Sequence, residues 1–223
     1  MSDNWFRRVK SEFSRNIMPY AGKPINYVEI GCYTGDSARW VCANVLSHDG
    51  SRGVGIDPYP VCGRARSRRF YAKIKACAVE KLSPYSNWSW KFEDSKVALR
   101  TWDSPIDVLY IDGLHQSQMA MQDFVLAFPY LREGSLVIMD DYGIGWRKKV
   151  PCVPEAVAAI LIAFQGHIEP VNGNINQFAF HVTMTPGSDE GDTGLNRWYR
   201  QVRGKRNVGR TKAIIDRYVK HLE

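Results

Sequence analysis

Apolar residues recur at three- and four-residue steps through residues 3–18, where Trp5, Phe6, Val9, Phe13 and Ile17 mark one face of an amphipathic helix. Pro19 and Gly22 stop it. The period then changes. "INYVEIG" (25–31) is a short apolar run rich in β-branched residues, which predicts a buried strand. Strand and helix patterns alternate from there. Strands are expected at 52–58, 88–94, 106–113 and 135–143, with helices at 36–47, 64–82, 95–102, 117–131 and 154–165. Two late strands, 167–172 and 176–184, lie close enough to pair antiparallel at one edge. This alternation predicts an α/β domain with a mainly parallel sheet. The fully apolar cores "VLYI" and "LVIM" fit a sheet covered on both faces.

No internal repeat or low-complexity tract interrupts the pattern. "TPGSDEGDTG" (185–194) reads as a polar linker. The expected organisation is therefore a helix at 1–22, one domain at 23–186, and a linker with a basic helix at 187–223. Among the 223 residues, no apolar run approaches the ~18–20 needed to cross a bilayer. The start of the chain lacks the apolar centre of a signal peptide, so a cytoplasmic location is expected. Cys32, Cys42, Cys62, Cys77 and Cys152 are odd in number and form no CxxC pair, which argues against a disulfide framework or a zinc site. The net charge of +7 gathers at 64–81 and at 195–223. Such clusters suit nucleic acid, another anionic partner, or plain solvated helix faces.

The stretch "YVEIGCYTGDS" (27–37) runs from a strand through a glycine-spaced turn into a helix. Gly31 and Gly35 permit a tight turn and close approach to a ligand. Their G-x-x-x-G spacing is not the G-x-G-x-x-G of a dinucleotide site, and no P-loop is present. Glu29 at the strand end would repel a phosphate. Asp57 ends the second strand, about 20 residues beyond the glycines, where a ribose contact is expected. Asp94 and Ser95 end the third, where a carboxylate can accept from an adenine amino group. Three acidic strand ends together suit a cationic, phosphate-free adenosine cofactor.

"VEIGCYTGDSARW", "GVGIDP", "FEDS" and "DVLYIDGLHQSQMAMQDFVLAFPYLREGSLVIMDDY" resemble the class I S-adenosylmethionine-dependent methyltransferases across about residues 25–185. The resemblance implies a Rossmann-like, doubly wound, seven-stranded sheet, mainly parallel with an antiparallel edge strand. It implies that Glu29, Gly31, Cys32, Tyr33, Thr34 and Gly35 line the methionine part of S-adenosylmethionine. Asp57 with Pro58 is then expected at the ribose, Asp94 with Ser95 at the adenine, and Asp112 at the cofactor's edge.

Asp112 ends the fourth strand, and Asp140 and Asp141 end the fifth. Carboxylates on adjacent strand ends repel unless something neutralises them, and a hard divalent cation such as Mg²⁺ does so with oxygen ligands. "IDGLH…IMDDY" is similar to the small metal-dependent O-methyltransferases of sugars, antibiotics and catechols. That likeness implies Asp112, Asp140 and Asp141 as Mg²⁺ ligands and a small or glycan-like hydroxyl acceptor. Leu114 stands where sugar-methylating relatives often carry a further acid. His115 is the expected general base, with Asp112 beside it; its other reading is structural, as a cap of the following helix or a hydrogen-bond partner of Asp123 or of the Asp140–Asp141 pair. His167 and His181 read as structural. The loop at 141–155, with Trp146, Arg147, Lys148 and Lys149, offers an aromatic and basic wall for an anionic or sugar-like acceptor.

Three other functions stay open on the sequence. A nucleic-acid methyltransferase would use the basic helix and tail. A non-catalytic relative would bind cofactor alone. A Rossmann oxidoreductase conflicts with the missing middle glycine. Trp5 and Phe6 could serve a homo-oligomer or pack on the domain.

Overall fold

The computed structural model describes residues 4–59, 68–143, 152–173 and 176–183. The expected wall at 146–149, Cys62, the start of the basic helix at 64–67, the linker and the basic tail lie outside them.

Helix α1 (Asn4–Ile17) leads into strand β1 (Asn26–Ile30), helix α2 (Asp36–Asn44), β2 (Arg52–Ile56) and α3 (Arg68–Leu82). Then come β3 (Trp88–Lys91), the short α4 (Ser95–Ala98), β4 (Ile106–Ile111) and α5 (Ser117–Ala127). β5 (Leu131–Met139), α6 (Val153–Ala163), β6 (Ile168–Gly173) and β7 (Phe178–Val182) complete the described elements. The seven strands form one sheet in the order β3-β2-β1-β4-β5-β7-β6. β1 to β5 pair in parallel, and β7 runs antiparallel to both β5 and β6. The antiparallel strand sits one place in from the edge, because β7 inserts between β5 and β6 and leaves β6 outermost.

Strand alternation explains the two layers. Val28, Ile30, Leu109, Ile111, Val137 and Met139 face one core, shared with α4, α5 and α6. Tyr27, Val108, Tyr110, Leu136 and Ile138 face the other, beneath α1 and α2. The 3–4 spacing of α1 buries Phe6, Val9, Phe13 and Ile17 on that second face. Phe13 meets Tyr110 of β4 with ring centroids 4.8 Å apart, and Phe6 packs on Phe13 and Trp40. Phe6 therefore serves the domain's own core; the Trp5 side chain is outside the described set.

The chain winds outward from β1 through β2 to β3, then returns to β4 on the other side of β1. The switch point lies between β1 and β4. In open α/β sheets the crevice outside the carboxyl ends of the strands at such a switch point is where ligands are held.

Candidate functional site

The turn after β1 is shaped by close approach. Gly31 has φ 88°, and a Cβ on it would stand 2.3 Å from the carbonyl oxygen of Asp112. Only glycine lets β1 end this near β4. Gly35, at φ 73°, is the N-cap of α2 and donates its N–H to Cys32 O at 2.7 Å. Between them Tyr33 also takes a left-handed conformation, φ 45°. Asp57, just beyond β2, clasps this turn. Its Oδ2 accepts the N–H groups of Cys32 and Tyr33, each at 3.0 Å, and its Oδ1 accepts that of Tyr59 at 3.3 Å. Tyr59 O–H donates to Tyr33 O at 2.5 Å. Burial raises the Asp57 pKa, against the pull of these donors. Pro58 follows, half-buried.

Several expected cofactor residues turn inward. Glu29 is fully buried beneath the turn, and its two oxygens accept from Tyr27 O–H (2.7 Å) and Ser37 O–H (2.6 Å). Burial lifts its pKa to about 7. Its side chain supports the turn rather than lining it, because Glu29 and Tyr27 share the strand face that looks into the core. The Cys32 thiol is buried against Glu29 O, and the Thr34 hydroxyl donates to Asp36 at 2.7 Å. Cys32 and Thr34 thus offer backbone at most, while the Tyr33 side chain is exposed.

At the third strand end Asp94 caps α4, accepting the N–H of Lys96 at 3.0 Å, and stays exposed. Ser95 donates its hydroxyl to Asp123 Oδ1 at 2.5 Å. Asp123, buried on α5, has its pKa raised to about 6 by desolvation. Its part was not legible in the sequence, where it reads as an ordinary polar position of an amphipathic helix.

Across the crevice the loop after β4 and the end of β5 bring Asp112, His115 and Asp141 together. One ligand atom from each lies within 4.8 Å of the others. His115 Nδ1 is 2.8 Å from Asp141 Oδ2. Burial and the carboxylates of Asp140, Asp141 and Glu29 push the Asp112 pKa well up. Asp141 holds φ 55°. Among the described residues, Tyr33 and Asp141 are the two non-glycine residues with positive φ, and both stand at this crevice. Such strain concentrates at functional sites.

Of the expected metal set, Asp112 and Asp141 are brought together and Asp140 is not. Asp140 is 3% exposed, its Oδ2 accepts from Tyr110 O–H at 2.8 Å, and it does not join the cluster. Asp140 continues the alternation of β5 into the core beside Tyr110, and the positive φ of Asp141 then turns the chain out of the strand. His115 is the residue that lies beside Asp112 and Asp141. His167 and His181 stand away from this cluster, His167 against the Phe128 ring and His181 3.4 Å from Tyr20 O–H.

The donor chemistry suits a cationic adenosine cofactor and a divalent ion. Asp57 and Asp94 follow β2 and β3, and Asp112 and Asp141 follow β4 and β5, so carboxylates rim the crevice on both sides of the turn. Asp57 Oδ1 retains acceptor capacity beyond its single described bond. Two carboxylates and an imidazole form a mixed oxygen and nitrogen set.

A family model described as a methyltransferase domain matches residues 28–142, just over half of the chain. That span carries the glycine turn and every acid named above. An uncharacterized protein of Acanthamoeba polyphaga mimivirus is 31% identical over 141 residues, which is 61% of each chain. The chain thus matches about three fifths of that curated relative's length. Among solved structures, the N-methyltransferase NodS of Bradyrhizobium japonicum is similar at TM-score 0.60 and 16% identity, over 82% of this chain and 99% of that one. The O-methyltransferase TomG of Streptomyces achromogenes, which takes part in tomaymycin synthesis and was solved with SAM, is similar at TM-score 0.58 and 16% identity. The match covers 79% of this chain and 80% of TomG. At that identity the likeness is one of fold.

Proposed function

The chain belongs to the class I S-adenosylmethionine-dependent methyltransferases, and from that premise we propose that it methylates a hydroxyl oxygen of a small or sugar-like acceptor, with His115 taking the proton. One observation carries this reading: the 2.8 Å contact between His115 Nδ1 and Asp141 Oδ2, beside Asp112 and across from the glycine turn. The carboxylate fixes the ring and leaves Nε2 as the atom that accepts a proton. A neutral amine attacks a methyl group without prior deprotonation, whereas an alcohol needs a base. An oriented histidine therefore favours oxygen over nitrogen as the nucleophile. An O-methyltransferase and an N-methyltransferase share this fold, so the fold itself does not discriminate.

S-adenosylmethionine, when bound, would supply an electrophilic methyl group to the acceptor oxygen. The chain's own residues do the rest. Asp57 holds the turn and would present Oδ1 to the ribose, and the turn's backbone and Tyr33 would flank the methionine part. Asp94 would meet the adenine, while the Ser95 hydroxyl is committed to Asp123. The acidic rim favours the positive charge of the sulfonium.

The cluster within 4.8 Å favours a second reading of the same reaction. Asp112, His115 and Asp141 would hold a divalent cation, which supplies Lewis acidity at the acceptor oxygen. The imidazole favours Mn²⁺ or Fe²⁺ over Mg²⁺.

The test titrates S-adenosylhomocysteine by calorimetry with EDTA, Mg²⁺ or Mn²⁺, then assays hydroxyl acceptors with the wild type and His115→Ala. Micromolar binding and a rate loss of about 10²-fold or more in His115→Ala support the proposal. Unchanged turnover in His115→Ala removes the histidine from the reaction.

A further inference from the structure

A cavity of about 440 Å³ lies between the outer sides of α1 and α2 and the segment that follows α3. Its lining includes none of Asp112, His115 and Asp141. Arg7 and Lys10 of α1 and Arg39 of α2 reach into it, and Trp40 and Tyr85 line it. These three cations are exposed and have no carboxylate partner among the described residues. The one acid in the lining, Asp36, is already engaged by Lys81 and by the Thr34 hydroxyl.

Helix α1 explains the placement. Its apolar stripe is spent on the core, so Arg7 and Lys10, three positions apart, lie on one flank of that stripe at the cavity. Lys10 Nζ stands 5.9 Å from the centre of the Trp40 ring. Trp40 is anchored from below by Phe6 and Phe13, which holds the indole in a fixed orientation. Trp40 and Tyr85 are both partly exposed and make no ring contact with each other among the described aromatic pairs. Three unpaired cations around one hollow repel each other, and an anion there relieves that cost. Arg binds phosphate in a fork, and a base has a face that stacks on an indole or phenol.

We propose that this cavity binds a nucleotide unit, with its phosphate against Arg7, Lys10 and Arg39 and its base against Trp40 and Tyr85. The unit is either a free nucleotide or one residue of a single strand, and both present the same phosphate and base.

The experiment titrates the full chain with GMP, with ribose 5-phosphate, with guanosine and with a ten-nucleotide single-stranded RNA. Each titration is run with and without saturating S-adenosylhomocysteine, so competition at the methyl-donor site is seen separately. The double variant Arg7→Glu/Arg39→Glu, with both positions exposed, is measured alongside, its folding checked by thermal melting. GMP is expected to bind about tenfold more tightly than ribose 5-phosphate or guanosine, and to lose about tenfold in the double variant. Tighter binding of the RNA than of GMP, falling steeply with salt, identifies the source as a strand; the reverse order identifies a free nucleotide. Equal affinity for GMP and ribose 5-phosphate overturns the proposal. So does GMP binding that the double variant leaves unchanged, or no binding of GMP or RNA.

Discussion

Asp57 accepts two backbone N–H groups, those of Cys32 and Tyr33, on the single oxygen Oδ2, each at 3.0 Å. The end of β2 is thereby fastened to the turn after β1. Tyr33 sits at φ 45°, a conformation costly for an aromatic residue, and these charge-assisted bonds are what hold it there. Asp57 shapes the turn before it meets any ligand.

This double duty separates two substitutions. Asp57→Ala is expected to lose about 1.5–3 kcal/mol of stability and most cofactor affinity, because the three bonds from the Cys32, Tyr33 and Tyr59 N–H groups vanish while the cost of burying the charge is relieved. Asp57→Asn retains an oxygen that can accept both N–H groups, so the turn survives with smaller loss. Its S-adenosylhomocysteine affinity should still fall about tenfold, as the charge is gone. Chemical unfolding and calorimetry on both variants measure the split. Full affinity in Asp57→Asn would show that the charge does not act on the cofactor.

Gly31→Ala addresses the other side of the turn. The added Cβ would lie 2.3 Å from Asp112 O, at φ 88°. The obstacle is backbone, which cannot swing aside as a side chain can. The expected cost exceeds the ~1–3 kcal/mol of left-handed strain alone. Since the displaced carbonyl belongs to Asp112, S-adenosylhomocysteine affinity should fall as well. A melting temperature equal to wild type would mean that β1 and β4 separate freely here, contrary to this packing.

What the sequence shows and hides follows one division. Local patterns were legible: the 3–4 stripe of α1, the apolar strands β1, β4 and β5, and acids at their ends. Partner choice across the fold was not. Ser95 looks like a ligand residue beside Asp94, yet its hydroxyl reaches Asp123, 28 positions away. Asp140 and Asp141 look like an equivalent pair, yet the alternation of β5 sends one to Tyr110 and the positive φ of the other goes with its contact to His115. Gly53 and Gly55 of β2 lie against Trp88 and Trp90 of β3, a packing between strands that has no local signal. The placement of β7 between β5 and β6 is likewise a pairing decision with no local signature.

That split between Asp140 and Asp141 can be measured. Asp141→Asn is expected to abolish Mn²⁺ binding, seen by calorimetry or as the loss of a Mn²⁺-induced rise in melting temperature. Asp140→Asn should keep the Mn²⁺ response, because an amide oxygen still accepts from Tyr110 O–H and the cluster is left intact. If Asp140→Asn removes the response while Asp141→Asn spares it, the ligand set is the carboxylate pair read the other way round.

Glu29 makes a prediction about pH. Its folded pKa, about 7, lies above its ordinary value of 4.5, because burial opposes the charge more than Ser37 and Tyr27 favour it. The native state therefore binds more protons than the unfolded state between these values. Stability from this group is fully present below about pH 4.5, declines as pH rises to about 7, and is level above. The difference is on the order of 3 kcal/mol at most, from ~1.4 kcal/mol per unit. Asp123 and Asp140, each raised to about 6, slope the same way, so the wild-type curve cannot isolate Glu29. Glu29→Gln can. Its amide oxygen still accepts one hydroxyl, while the other must turn to accept from the amide N–H. The gap in unfolding free energy between pH 5 and pH 8 should be smaller in the variant than in wild type. An identical gap would mean that Glu29 stays ionised in the folded core, and that the Ser37 and Tyr27 hydroxyls compensate fully for its burial.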